Sequence, residues 1–410
     1  MLPNIQRDRL FLASRIALIA TAMTFAFRAA LEGVWGNEFT LTKEQVGWIF
    51  APAFWGFTLA QIFGGSLVDV LGMKKLLGFA FIAQLAGIVT YLVAKDATTL
   101  FIGTCFIGIG NGMVEAACNP LVVTLYPENK TTMLNRFHVW FPGGIALGGI
   151  LSYIMLDKMH LGWHILICTL FIPLVIYGIM FWKLELPKTE RVAKGISTKE
   201  MFASCLHPLY LIMLVCMLMT AATELGTGTW INALLSGSGV SGIIILVFIN
   251  GIMALGRSFA GPVVHRINPN GMLIFSAVFS GIGLLLLSQA SGYAAFGAAF
   301  VFAIGICFFW PTMLGFVSEY LPKTGALGLN LMGGGGMFSV SLIIPIMGRW
   351  FDEAKAKAVA AGIDSATADA AAGSNTFLKV AVMPAILVVI FSVIYIVRRK
   401  HYQKPITQTA

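Results

Sequence analysis

The stretch GIGNGMVEAACNP, Gly108–Pro120, decides the reading of this chain. It lies in an apolar segment running from about Leu100 to Leu125, long enough to cross a bilayer as a helix. At its centre stands Glu115. A carboxylate at that depth is costly, so it is expected to face a cavity or a partner and to mark a transport path. Asn111, Glu115 and Asn119 recur every four residues and share one helix face. A polar stripe on an apolar helix is what a solute pathway needs.

Working outward, the 410 residues are 58% hydrophobic and 11% charged. Soluble domains carry roughly 25% charged residues, so the composition points to a polytopic, all-α membrane protein. About twelve segments have spanning length: 11–35, 42–68, 75–95, 99–125, 133–156, 161–183, 207–234, 240–263, 271–291, 294–320, 327–350 and 376–398. The N-terminus runs straight into the first of them and reads as a spanning helix rather than a removed signal. A polar linker over 186–207 divides an N-terminal six-helix bundle (1–185) from a C-terminal one (208–400), with a tail at 401–410.

Lys and Arg set the expected orientation. Arg7, Arg9, Arg15, Lys74, Lys75, Lys130, Arg136, the linker cations, Arg266, Lys323 and the Arg398–Lys404 group fall on one side. Only Lys43, Lys95, Lys158, Arg349, Lys355, Lys357 and Lys379 fall on the other. This bias predicts both termini inside, and it accounts for the net charge of +9 without nucleic acid. The Ala-rich stretch 351–376 reads as a solvated outer loop with room for a short surface helix. The six cysteines are scattered without metal-ligand spacing and read as small, buried, reduced thiols.

The halves repeat. Gly65, Asp69 and Gly72 align with Gly261, His265 and Asn268, all 196 residues on. Pro127 and Leu134-Asn135 recur as Pro322 and Leu329-Asn330, 195 residues on. A constant offset of nearly half the chain predicts two like bundles, as in parallel-repeat transporters.

The segment Gly65-Ser-Leu-Val-Asp69-Val-Leu-Gly72-Met-Lys74-Lys75 resembles the signature loop of the major facilitator superfamily, G-x-L-x-D-x-x-G-R-[KR], with Met73 in place of the usual Arg. Gly65 permits close helix packing, Asp69 is free to pair with a cation or a helix N-terminus, and Lys74 and Lys75 hold the loop inside. Within that superfamily, Gly112-Met-Val-Glu115-Ala-Ala-Cys-Asn119-Pro120 followed by Leu125-Tyr-Pro127-Glu128 is similar to the fourth helix of the fucose–galactose–glucose:proton symporter family. The resemblance implies twelve helices, alternating access, a sugar-like solute and a coupling role for Glu115. It also implies an acid in the first helix, where this chain has Arg28, with Glu32 one turn on.

Three readings of Arg28 stand: a partner for Glu115, a bidentate clamp for an anionic solute such as a sugar acid, or a side chain snorkelling outward beside Glu32. Glu224 is the second intramembrane acid. With Thr220 and Thr227 on its face it offers oxygen ligands for Na⁺, so the coupling ion is a proton or sodium. A sugar site needs amide or imidazole groups and an aromatic plate. Asn111, Asn119, Asn135, His138, Asn232, Asn250 and Asn330 supply the first, and Trp140, Trp230 and Trp310 the second; each also has a packing or interfacial role open to it. Gly333–Gly336 reads as a packing device, since no phosphate-loop lysine follows. No ATP-binding or hydrolytic motif appears, so neither an enzyme nor a cofactor is expected. The expectation is a monomeric, multi-pass symporter of a bacterial inner membrane whose partners are a small solute and the bilayer. The alternatives are an organic-anion transporter that uses Arg28 and a non-transporting sensor of the same fold.

Overall fold

The computed structural model describes residues 4–41, 43–235 and 242–402, and every regular element among them is helical. In lipid no water satisfies backbone N–H and C=O groups, so an apolar chain must close its hydrogen bonds within each helix. Among the described residues eleven helices are long and apolar enough to cross a bilayer, and a twelfth is shorter. They are α1 Gln6–Glu38, α2 Gln45–Leu71, α3 Met73–Leu92, α4 Ala97–Leu125, α5 Lys130–Lys158, α6 Trp163–Lys183, α7 Pro208–Ile231, α8 Ile244–Ser258, α9 Ala260–Leu287, α10 Ala294–Tyr320, α11 Pro322–Ala360 and α12 Ser365–Arg398.

Turn chemistry sets the boundaries. Asp96 caps α4, its carboxylate accepting from the Thr99 backbone N–H at 2.8 Å. Gly72 ends α2 with φ 84° and ψ 150°, and its repeat mate Asn268 has φ 55° and ψ 169° inside α9. Both lie in the positive-φ region that glycine tolerates best. Asn268 therefore divides α9, so that 260–267 prolongs α8 and Pro269 begins the next crossing. Tyr126 (φ −133°, ψ 63°) and Leu321 (φ −131°, ψ 49°) are a second matched pair, each just before the repeated proline. The repeat read from sequence thus extends to backbone conformation.

Packing repeats as well. In the N-terminal half α3 packs on α4, α2 on α4 and α1 on α5; in the C-terminal half α9 packs on α10, α8 on α10 and α7 on α11. The halves meet along α2–α11 and α5–α8. The α2–α11 contact is close because glycines line it. A Cβ on Gly65 would lie 2.5 Å from Asn330, and one on Gly333 2.5 Å from the Gln61 amide. Asn135 donates to Thr312 Oγ1 at 3.2 Å, and Asn330 donates to the Ala116 carbonyl at 3.1 Å. Ala116 and Thr312 are themselves 196 residues apart, so the two asparagines make one contact twice.

Two expectations need correction. The 351–376 stretch is not an irregular loop: α11 continues to Ala360 and α12 starts at Ser365, with Lys355 and Asp369 paired at 2.7 Å. Alanine is the best helix former, so the Ala-rich sequence prolongs both helices beyond spanning length. The cysteines are free, but Cys168 is exposed and Cys105 only half-buried.

Candidate functional site

Glu115 sits on α4 with 2% of its surface exposed. Its Oε2 accepts from Gln61 Nε2 of α2 and from Asn119 Nδ2, each at 3.3 Å. Both partners are neutral amides. Asn119 Oδ1 meets His138 Nε2 of α5 at 3.0 Å. An amide oxygen only accepts, so that imidazole nitrogen carries the hydrogen.

The path then crosses to the other half. Arg257 of α8, 1% exposed, donates from Nη1 to the His138 carbonyl at 3.0 Å. Its Nη2 donates to Glu224 Oε1 of α7 at 2.9 Å, and its Nε to the Cys307 carbonyl of α10 at 2.6 Å. A continuous run of side-chain and backbone groups thus joins Glu115 in one half to Glu224 in the other. Gln61 and Arg257 are absent from the site residues expected from sequence. The repeat carried the signal for both, since Gln61 and Arg257 are 196 residues apart, as are Arg28 and Glu224.

Other expected residues go elsewhere. Asn111 is not part of Glu115's surroundings. It accepts from Gln84 at 2.8 Å and donates to Thr24 Oγ1 at 2.9 Å, while Tyr177 donates to Gln84 at 2.7 Å. Two turns of helix rotate its face by roughly 80° from that of Asn119, toward α1, α3 and α6. Arg28 does not pair with Glu115, nor does it reach the surface beside exposed Glu32. It is 6% exposed, its guanidinium lies 4.4 Å from the Phe25 ring and 5.7 Å from Phe54, and its buried Nη1 has no hydrogen-bond partner among the described residues.

At Glu224 one carboxylate oxygen is taken by the Arg257 guanidinium, and Thr220 turns its hydroxyl to the Met217 carbonyl. Glu224 Oε2 and Thr227 Oγ1 are buried without partners among the described residues. Trp230 donates to the Ile344 carbonyl of α11 and packs on Gly348, so it serves helix packing. Asn250 caps a carbonyl of its own helix at Leu246. Trp140 is 38% exposed, whereas Trp310 is buried and its indole N–H has no partner among the described residues. The side chain of Asn232 lies outside the described residues.

The end of the bundle that carries the 186–207 linker is closed. Asp69 of the signature loop pairs with Arg191 at 2.6 Å and accepts from the Thr189 hydroxyl. Lys74 donates to the Trp182 and Leu184 carbonyls at the end of α6. Lys130 binds Glu190 at 2.8 Å and the Ser318 carbonyl at 3.2 Å, and Thr131 donates to Glu319. Burial pushes the Glu190 carboxyl up, but Lys130 and Lys194 outweigh it and hold it below the usual glutamate range. A depressed folded pKa contributes stability above the unfolded value and loses it as pH falls through the folded one. Glu190→Gln is therefore expected to lower thermal stability at pH 7, with its deficit shrinking as pH falls below about 4.3 and vanishing only below the depressed folded value, as read from melting curves across pH.

Eleven long apolar helices and a shorter twelfth among the described residues, in two like bundles with ionisable groups buried between them, define a multi-pass integral membrane protein. The family model of the Major Facilitator Superfamily matches residues 14–342, and the chain belongs to that superfamily. A probable chloroplastic anion transporter of rice, Oryza sativa subsp. japonica, is 31% identical over 131 residues, covering 31% of this chain and 22% of the rice protein. The D-galactonate transporter of an Escherichia coli O6:H1 strain is 31% identical over 174 residues, covering 40% of this chain and 38% of that protein. The matched segments thus span well under half of these relatives. The crystal structure of FucP in the outward conformation superposes with a TM-score of 0.68 at 18% identity, covering 92% of this chain and 98% of FucP. That likeness is one of fold.

Proposed function

We propose that this protein is a secondary active transporter that moves a sugar-like solute with a cation by alternating access. The observation that carries this reading is the hydrogen-bonded run from Glu115 to Glu224 across the two halves. Rocking the halves about a midplane site must break or remake the Arg257–His138 link, so solute access and the state of the acids change together. The coupling ion in this reading is a proton on Glu115, whose partners are neutral amides with no cation among them. FucP is a fucose:proton symporter. Sodium is the second reading, favoured by the partnerless Glu224 Oε2 and Thr227 Oγ1.

The solute best suited to the site is a sugar acid. Arg28 is a buried cation with an unsatisfied donor, and a carboxylate would supply both charge and acceptor. The D-galactonate transporter and the rice anion transporter are relatives by sequence. In the same reading the protein is a monomer of a bacterial inner membrane with both termini inside, as the Lys and Arg distribution favours.

Reconstitution into proteoliposomes tests this. Sugar acids and neutral sugars would be offered under an imposed proton or sodium gradient. Movement of none of them under either gradient would favour the sensor reading. Arg28→Ala is expected to raise KM for the transported acid roughly 10- to 100-fold, the worth of a charged hydrogen bond of about 1.5–3 kcal/mol. A neutral analogue should change less than about twofold. Equal effects on acid and neutral analogue would remove the clamp.

A further inference from the structure

Away from the interior path, α3 and α6 part at the linker end to leave a membrane-facing groove of about 730 Å³. That lies within the roughly 300–1,000 Å³ of small-molecule sites. Its walls are apolar and glycine shapes them. A Cβ at Gly178 would lie 2.6 Å from the Phe81 ring, so glycine there lets Phe81 fold against α6. A Cβ at Gly78 would meet nothing within 4 Å, so the space above it is open.

Among the described residues that line the groove are Lys74, Lys75 and Lys183 and no acid. Lys74 is committed to the carbonyls that end α6. Lys75 and Lys183 are exposed, and neither takes part in an ion pair among the described residues. Trp182, 82% exposed, precedes Lys183 in the chain and lines the same groove, as an interfacial tryptophan does. Two free ammonium groups at the mouth of a greasy slot match one ligand chemistry, a phosphate joined to acyl chains.

We propose that this groove binds an anionic phospholipid, with Lys75 and Lys183 on the phosphate and an acyl chain over Gly78 and Phe81. Such a lipid bridges α3 to the end of α6, where the linker bearing Arg191 begins. It thereby braces the closed end without touching the solute path.

The test uses the full chain in detergent micelles, melted with added phosphatidylglycerol, with phosphatidylcholine of the same acyl chains, or with glycerol phosphate alone. Phosphatidylglycerol is expected to raise Tm by about 4 °C over phosphatidylcholine, and glycerol phosphate to do nothing. Two variants remove the effect by different routes. The double change Lys75→Gln with Lys183→Gln removes the charge. Gly78→Leu fills the slot, and because it replaces an exposed helical glycine by a better helix former it leaves the fold intact. Equal shifts with the two lipids in wild type, or a phosphatidylglycerol shift that survives in either variant, overturn the proposal.

Discussion

Glu115→Gln is expected to abolish uphill accumulation of solute while leaving exchange of solute across the membrane in place. Each pH unit of gradient supplies about 1.4 kcal/mol per coupled proton, a tenfold accumulation. Without a group to carry the proton, the inside-to-outside ratio falls to about one. The amide keeps the shape of the side chain and still hydrogen-bonds Gln61 and Asn119, so substrate-for-substrate exchange persists. Counterflow and gradient-driven uptake in the same proteoliposomes separate the two. Gradient-driven accumulation within about twofold of wild type in the variant would sink the coupling role.

Arg257 carries the largest expected effect on stability. Its guanidinium binds Glu224, the His138 carbonyl and the Cys307 carbonyl with 1% of its side chain exposed. Arg257→Gln leaves the Glu224 carboxylate buried without its cation, and breaking a buried pair from one side costs about 3–5 kcal/mol. Replacing both, Arg257→Met with Glu224→Leu, is expected to recover most of that, because apolar residues of similar volume need no compensation. Transport stays lost in the double variant if the link to His138 is the coupling element. Melting curves and uptake assays on the two variants decide it: equal stability of both, or transport restored in the apolar pair, contradicts this role for Arg257.

Much of the site was legible in one helix. Glu115 and Asn119 announce themselves because a carboxylate and an amide inside an apolar run break a simple pattern, and His138 stands out in the same way. Gln61 and Arg257 were harder to see. Gln61 is one amide among the apolar residues of α2, and Arg257 lies near a helix end where an arginine commonly reaches water. Only the offset of 196 residues links the two, and its meaning depends on the halves being superimposable. Arg28 was open to three readings because sequence does not state how α1 is rotated. Spacing alone groups Asn111 with Glu115 and Asn119, but over the eight residues from Asn111 to Asn119 the face rotates far enough to send Asn111 to another interface.

The sequence by itself determined that the chain is helical with about twelve apolar segments, that its halves repeat, and that costly charges lie within those segments. These are local properties, set by hydropathy over a spanning length and by residues such as Gly72 that fix a backbone angle. The tertiary structure decided which charge meets which. Arg257 rather than Arg28 faces an acid, Asp69 finds Arg191 in the linker, and glycines of α11 bring Gln61 close. Each pairing depends on the rotation and approach of two helices far apart in the chain, and that is settled by packing rather than by any one segment.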